Sequence, residues 1–320
     1  MSSSSVKSHI NPQKIAFLHR NIIDWFNRSA RDLPWRADDR TPWAVMVSEF
    51  MLQQTPVVRV LPVWQQWMER WPTPQDLASA DSSEIIRAWG KLGYPRRALR
   101  LHSAAQTIVE KHDGRIPKTY EELLALPGVG SYTAAAITVF AFSRRATVID
   151  TNIRRVHARA VSGKALPSKT LTAAETRLAE ELMPENLAES VLWNAATMEL
   201  GALICTARSP QCEICPIYSE CAWIVAGKPE PDYIPKGQAW AGTDRQLRGA
   251  MMAVLREATG PIHKEILLSP TSADFAFPTE IIPAIEKLKK LNSSQEQIER
   301  CYRGLLKDGL AHETGEKVSL

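Results

Sequence analysis

The sequence predicts an all-α core followed by a small, winged-helix-like α/β appendage at its carboxyl end. Apolar residues recur at helical spacing over 14–225, whereas strictly alternating runs are scarce. Prolines then crowd a short segment, as is typical of a linker. We therefore predict a helical core over 14–225, a linker over 226–240 and a C-terminal domain over 241–320, after a polar, Ser-rich, disordered lead over 1–13.

The helices of the core are predicted from this apolar spacing. In the first, from Lys14 to Arg28, the residues Ile15, Leu18 and Ile22 recur at helical intervals. The same period returns over 43–54, 57–71, 83–90, 97–111, 119–125, 132–142, 152–161, 171–183 and 187–203. Prolines between these stretches mark helix starts or loops.

The C-terminal segment carries a different pattern. Helical spacing is found over 245–258, 280–291 and 295–307, and the last residues, from Gly309 to Leu320, predict a short hairpin. Three helices and a terminal hairpin indicate a winged-helix-like domain.

Composition and hydropathy limit the ligands that the protein can bind and the place in the cell where it can act. The 320 residues carry a formal net charge of +4, which permits contact with a polyanion without requiring it. No apolar run is long enough to cross a bilayer, and the amino terminus has no apolar signal core. We expect a cytoplasmic protein that has no membrane contact and is a monomer.

Four of the five cysteines lie close together and predict a metal centre. They are Cys205, Cys212, Cys215 and Cys221, with the spacing C-x6-C-x2-C-x5-C. One thiolate per iron completes a [4Fe–4S] cluster, whereas structural zinc usually takes two separated C-x2-C pairs. The spacing favours the cluster over zinc. Its role is either purely structural or that of holding basic side chains near a phosphate.

A glycine-rich turn between two predicted helices indicates an anion site. It runs from Leu126 to Gly130, with glycines at 128 and 130, and the next helix begins near Ser131. Gly128, Gly130 and Ser131 would present backbone amides and a helix N-terminus to a phosphate. A simple tight turn between helices is the alternative.

Two carboxyl residues are candidates for chemistry. Asp150 follows an apolar run and precedes a helix, so it is either an N-cap or a carboxylate facing a reacting sugar, with Asn152 to orient it. Glu49 lies among apolar residues, where burial would raise its pKa as a general acid requires. The alternative is that Glu49 faces solvent on an amphipathic helix.

Several motifs in one order resemble the helix-hairpin-helix, iron–sulfur DNA glycosylases, and most closely the MutY-type adenine glycosylases. The resemblance spans roughly 14–223. Its motifs are Leu33-Pro-Trp-Arg36, Ser48-Glu-Phe-Met-Leu-Gln-Gln-Thr55, Gly90-Lys-Leu-Gly-Tyr94, Leu126-Pro-Gly-Val-Gly-Ser-Tyr132, Ile149-Asp-Thr-Asn152, Glu199-Leu-Gly-Ala-Leu-Ile-Cys205 and the four-cysteine loop.

The resemblance implies a role for each motif. Glu49 would protonate adenine, Asp150 would stabilise the oxocarbenium ion, and Tyr132 would line the site beside them. Arg31, Leu33 and Trp35 would border the adenine pocket. The resemblance implies four further substrate-binding positions, Gln53, Gln54, Leu92 and Tyr94. Of these, Gln54 and Tyr94 would enter the base stack.

The implied activity is base excision from double-stranded DNA in which adenine is mispaired with 8-oxoguanine or guanine. Endonuclease III-like relatives carry a lysine nucleophile where this chain has Tyr132, so a monofunctional enzyme is expected.

The sequence departs from the family in two places. Ala195 follows Asn194 where relatives usually have Gln or Glu, which puts one contact to adenine in doubt. The C-terminal segment is also too short and helical for the MutT-like domain of the family. It is either a second DNA-contact module, with Arg300, Arg303 and Lys307 on its last helix, or a packing appendage.

Two other functions remain open at the level of sequence. One is a pyrimidine glycosylase and lyase of endonuclease III type, which would nick DNA without alkali. The other is a DNA-binding or redox-sensing iron–sulfur protein without catalysis, for which a change of Glu49 would alter no activity.

Overall fold

A computed structural model describes residues 10–234, 237, 239–270 and 278–320. Sixteen α-helices are found in these ranges. They are α1 Pro12–Ser29, α2 Pro42–Leu52, α3 Val57–Arg70, α4 Pro74–Ala78, α5 Ser82–Trp89, α6 Arg96–Lys111, α7 Tyr120–Leu124, α8 Ser131–Phe140, α9 Thr151–Ala160, α10 Ala173–Glu181, α11 Leu187–Leu203, α12 Ala222–Val225, α13 Asp244–Glu257, α14 Glu265–Leu268, α15 Ile282–Lys289 and α16 Gln295–Lys307. Short 3-10 turns lie at Pro34–Arg36, Cys212–Ile214, Tyr218–Glu220 and Thr279–Ile281.

Local capping explains where several helices begin. Threonines cap α4, α7 and α10 in reciprocal capping boxes with the acid three residues later. The predicted disordered lead over 1–13 lies largely outside the described residues. Its last two residues belong to α1, because the Asn11 side chain accepts from the amide of Gln13 and a proline occupies the first turn.

The helices form two compact units, each made of separate chain segments. One unit comprises Met1–Glu49, Pro117–Ala125 and Val129–Pro235. In it, α1, α9 and α11 pack around a core that includes Leu18, Ile22, Val156 and Trp193. None of the helices in the described ranges has the length and apolar character to cross a membrane.

The other unit comprises Phe50–Ile116, Leu126–Gly128 and Lys236–Leu320. Ile86 of α5 is fully buried in the same apolar cluster as Leu247, Met251 and Leu255 of α13. The C-terminal residues therefore share a core with α5. The units group the chain differently from the sequence-continuous domains that we predicted, whose bounds stay a prediction.

A three-stranded sheet completes the C-terminal part. Its strands, β1 Ile262–His263, β2 His312–Thr314 and β3 Lys317–Ser319, are antiparallel in the order β1-β3-β2. The predicted terminal hairpin is confirmed, with Gly315 at a φ of +60° in its turn. The two-residue β1, which pairs Ile262 with Val318, was not predicted. The all-α core with a small winged-helix-like appendage is confirmed.

Candidate active site

Glu49 is a buried acid on the apolar helix α2, with only 5% of its surface exposed. Burial raises its pKa to about 7, with a smaller rise from the nearby charge of Asp150, while a hydrogen bond with Tyr132 and the charge of Arg36 lower it. Its Oε2 atom is buried and has no hydrogen-bond partner within the described residues. This carboxyl can therefore hold a proton near neutral pH and has one oxygen left to serve a ligand.

Asp150 is the N-cap of α9. Its Oδ1 accepts from the amide of Ile153 at 2.7 Å, and its Oδ2 accepts from Nδ2 of Asn152 at 2.8 Å. Burial raises its pKa, and these hydrogen bonds act in the opposite direction. The capping and chemical interpretations of Asp150 are therefore compatible, because the capped carboxyl is close enough to Glu49 for their charges to interact.

The start of α9 is fixed by contacts that the sequence did not reveal. Nη2 of Arg155 donates to Oδ1 of Asn152 at 2.7 Å and to the carbonyl of Gly201. A Cβ atom on Gly201 would lie 2.7 Å from Cβ of Asn152. The glycine in α11 thus permits the close approach of the turn that carries Asp150.

A buried ionic cluster lies in the same unit. Glu199 has no exposed side-chain surface and binds Nε and Nη2 of Arg31, each at 2.7 Å, and Nη2 of Arg36 at 2.9 Å. Burial acts to raise the pKa of Glu199, but the bonds from both arginines overcome it and hold it at about 2. Glu199 is therefore a fixed negative charge, and Arg36 also acts on Glu49.

Sequence reasoning gave no role to Arg36 or Glu199, because 163 residues separate this pair. The predicted pocket residues Leu33 and Trp35 are buried next to Arg36 in the chain.

Asn194 precedes Ala195, where the sequence departs from the family pattern. Its side chain supports the chain segment before Asp150. Its Oδ1 accepts from the amide of Val148 at 2.9 Å, and its Nδ2 donates to the carbonyl of Ala146 at 3.1 Å. Its amide is therefore used to hold this segment.

The glycine turn lies between α7 and α8 as predicted. Gly128 has a φ of +76°, and a Cβ there would lie 2.7 Å from Cβ of Arg100. Gly130 is the N-cap of α8, so no side chain caps the amides that follow it, and Ser131 is exposed. The two glycines therefore differ: Gly128 is required by packing and backbone shape, whereas Gly130 leaves the helix end open.

The remaining predicted substrate residues lie in the other compact unit. Gln54 and Tyr94 both have left-handed backbones, with φ of +56° and +48°. Their loops are joined by Arg97, whose guanidinium donates to carbonyls in both. Leu92 is buried, and its carbonyl accepts from Arg97. Arg97 therefore holds the two loops together.

The four cysteines line one small apolar cavity together with Val156, Leu200 and Ile217. Nη1 of Arg159 donates to Sγ of Cys205 at 3.3 Å. Burial raises the pKa of Cys215 to about 12, so its thiolate requires a bound cation. A cubane takes one thiolate on each of its four irons, and four cysteine side chains line this cavity. The residues fit a cluster, which would tie four points of this loop together.

Two known families match parts of the chain. Residues 47–181 match the HhH-GPD superfamily of base excision DNA repair proteins. Residues 205–221 match the iron–sulfur binding domain of endonuclease III. The prediction of a [4Fe–4S] cluster is confirmed.

Curated proteins and a solved structure extend the similarity over most of the chain. An adenine DNA glycosylase of Mycobacterium tuberculosis is 49% identical over 243 residues, which cover 76% of this chain and 79% of that protein. One from Mycolicibacterium smegmatis is 48% identical, covering 75% and 81%. The structure of a thermostable thymine-DNA glycosylase superposes with a TM-score of 0.60 at 29% identity and covers 67% of this chain and 98% of that one.

Proposed function

Because the chain belongs to the adenine DNA glycosylase family of the HhH-GPD superfamily, we propose that it hydrolyses the N-glycosidic bond of adenine in duplex DNA. Adenine opposite 8-oxoguanine or guanine is the proposed substrate. The single observation that carries this proposal is the buried, partly unpartnered carboxyl of Glu49, whose pKa is about 7.

Glu49 is the proposed general acid. Adenine leaves poorly as an anion, so a proton must reach one of its ring nitrogens as the bond to C1′ breaks. The electron pair of that bond departs with the base, and C1′ becomes an oxocarbenium ion. Water then adds to C1′ and gives a proton to the Glu49 carboxylate, which restores the acid.

Asp150 and Asn152 are the proposed partners of the cationic sugar. A fixed negative charge next to the developing oxocarbenium ion stabilises it without reorganisation. The hydrogen bonds to Ile153 and Asn152 keep the Asp150 carboxyl in place and favour its charged form.

Tyr132 takes the place of the lysine that a lyase would need, so the enzyme is proposed to be monofunctional. Its hydrogen bond with Glu49 supports a role in orienting the acid. Arg31, Leu33 and Trp35 are the proposed walls of the adenine pocket, with Arg31 held by Glu199.

DNA is proposed to contact several surfaces. The open N-terminus of α8 at Gly130 and Ser131, with the turn at Gly128, would bind a phosphate. Gln54 and Tyr94, with neighbours Gln53 and Leu92, would fill the stack that the extruded adenine leaves. We propose Cys205, Cys212, Cys215 and Cys221 as the cluster ligands. We propose that the protein acts as a monomer in the cytoplasm, at the nucleoid if the cell is bacterial.

The test is a panel of duplexes with adenine opposite 8-oxoguanine, guanine, cytosine and thymine. We expect free adenine from the first two, and strand breaks only after alkali. Glu49→Gln should lower the single-turnover rate by about 10²–10⁴-fold, the usual contribution of a general acid. Glu69→Gln, which changes an exposed acid, should leave it unchanged.

Each rival function predicts a different result. A lyase would nick a duplex containing an oxidised pyrimidine without alkali. A non-catalytic DNA-binding protein would release no adenine from any duplex, and Glu49→Gln would then change nothing. Either result would reject the proposal.

A further inference from the structure

A large cavity lies within the compact unit that contains the C-terminal residues. Its volume is about 760 Å³. It is lined by residues of the two loops around Gln54 and Tyr94 and by residues of α13 and the end of α16. It is thus built jointly by the loops proposed to enter the base stack and by the C-terminal segment.

The charge of this cavity is strongly positive. Within the described residues that line it, eight are cationic and one, Asp308, is acidic. Asp308 pairs with Arg248 at 2.5 Å and with Arg96 at 3.2 Å, and Arg97 is used in binding carbonyls. No hydrogen bond or ion pair engages the side chain of Lys91 in the described ranges, and Nε of Arg256 is buried with no partner there. An anion would satisfy the buried Nε of Arg256 and could pair with the exposed ammonium of Lys91.

An aromatic wall stands beside these cations. The guanidinium carbon of Arg245, on α13, lies 4.8 Å from the ring centre of Tyr94 and 5.4 Å from that of Trp240. Trp240 is 54% exposed. Tyr94 is also exposed, and a guanidinium held against two exposed rings is a surface on which a nucleobase can stack.

Size and chemistry together select the ligand. The cavity is far larger than an inorganic anion and lies within the range of about 300–1,000 Å³ that is typical of pockets for small organic ligands. Cations combined with exposed aromatic faces are the usual composition of sites for unpaired nucleotides. The ligand class is therefore a base with its flanking phosphates.

We propose that this cavity binds an unpaired nucleotide of the DNA substrate, with its base against Trp240 and Arg245 and its phosphates against Lys91 and Arg256. The inference rests on the proposed function, because extrusion of adenine necessarily leaves an unpaired base in the duplex. α13 is then the DNA-contact element of the C-terminal segment. On α16, Arg300 is paired with Asp244 and Arg303 with Glu299.

The test measures binding in the full-length Glu49→Gln background, so that the duplex is not consumed. The probes are a fluorescent duplex with adenine opposite guanine, the same duplex with an abasic site in place of that guanine, and free dGTP as competitor. Trp240→Ala with Arg245→Ala is the cavity variant; both side chains are exposed, so folding should be retained. Arg303→Ala, 77% exposed and outside the cavity, is the matched control.

We expect the cavity variant to bind the guanine duplex at least tenfold more weakly than the control, and the abasic duplex almost as well as the control does. Lys91→Ala should reduce the slope of log Kd against log salt by about 0.9, the value for one phosphate contact. Equal weakening with both duplexes, or none with either, would overturn the proposal. So would dGTP competing as strongly as the duplex, which would assign the cavity to free nucleotides.

Failure of this inference is distinguishable from failure of the proposed function. Release of adenine by the otherwise unmodified enzyme tests the function and does not depend on the cavity. If adenine is released but the cavity variant binds both duplexes as the control does, only the cavity assignment is wrong.

Discussion

Three carboxyl groups in one compact unit have different pKa values, because different hydrogen-bond donors reach them. Glu199 takes two guanidinium groups, and its pKa falls to about 2. Asp150 accepts hydrogen bonds from the backbone amide of Ile153 and the carboxamide of Asn152, and burial raises its pKa. Glu49 has a hydrogen bond with the phenol of Tyr132, and burial raises its pKa to about 7. Residue chemistry in this unit is thus decided by which hydrogen-bond donors reach each acid in a low dielectric.

The pKa of Glu49 predicts the pH dependence of excision. A general acid acts in its protonated form, so kcat/KM should fall about tenfold per pH unit above about 7. The measurement is the pH profile of kcat/KM for adenine release between pH 6 and 9. The falling limb should be absent from the residual activity of Glu49→Gln, and a limb that persists there would assign the ionisation to another group.

The same burial predicts a cost in stability. A carboxyl whose pKa is higher in the folded protein than in the unfolded chain binds its proton more tightly when folded. Its contribution is therefore present below pH about 4.5 and is lost as pH rises towards about 7. Glu49→Gln should gain about 2–3 kcal/mol over the wild type between pH 5 and pH 8. Urea unfolding at both values checks this, and Glu69→Gln should show no such gain.

At the scale of elements, the sequence was most informative about features whose structure neighbouring residues determine. The cap at Asp150, the glycine turn after α7 and the terminal hairpin depend on neighbouring residues. The hairpin was predicted, and the cap and the turn were each among the alternatives that the sequence left open. Contacts between distant segments were not predictable. Glu199 meets Arg31 across 168 residues, and β1 forms only because β3 lies beside it. Periodicity fixes which face of a helix is buried but not which partner covers it.

The packing of α11 against α9 predicts a sensitive position at Gly201. In Gly201→Ala the new methyl would lie 2.7 Å from Cβ of Asn152 and 2.8 Å from its carbonyl oxygen, so the turn carrying Asp150 must move. We expect a loss of about 1–3 kcal/mol in stability and at least tenfold in single-turnover rate. Gly260→Ala, where nothing lies within 4 Å, is the control. An unchanged rate would show that the turn tolerates displacement.

Arg97 predicts that two loops depend on one side chain. Its guanidinium donates to the carbonyl of Met51 at 3.0 Å, to that of Gly93 at 2.9 Å and to Oγ1 of Thr55 at 2.9 Å. Lysine keeps the charge but lacks the planar fork, so Arg97→Lys should leave buried acceptors unpaired and cost about 1–3 kcal/mol. It should also weaken duplex binding, because Gln54 and Tyr94 lie in these loops.

Thermal unfolding and duplex titration measure both effects, with Arg70→Lys as an exposed control in the same unit. Weakened binding with unchanged stability would contradict the interpretation of Arg97 as a structural clamp.

At the scale of the whole molecule, the C-terminal residues share an apolar core with α5. Ile86 of α5 lies among side chains of α13, α15 and α16, and Arg87 donates to the carbonyl of Leu255 at 3.3 Å. A composition typical of a linker predicts a connecting segment, yet it cannot show where the chain beyond that segment packs.

This shared core predicts that one substitution, Ile86→Ser, has opposite effects in the full chain and in a chain that lacks residues 237–320. Removing residues 237–320 exposes Ile86, so the shortened chain should melt at a lower temperature and scatter light on heating, because an apolar patch is bared. In the full chain, Ile86→Ser should cost about 2–4 kcal/mol through the cavity and the buried hydroxyl. In the shortened chain the same substitution should reduce aggregation. If Ile86→Ser instead destabilised both proteins equally, the residue would owe its burial to neighbours within 50–116, and the C-terminal segment would be a separate domain after all.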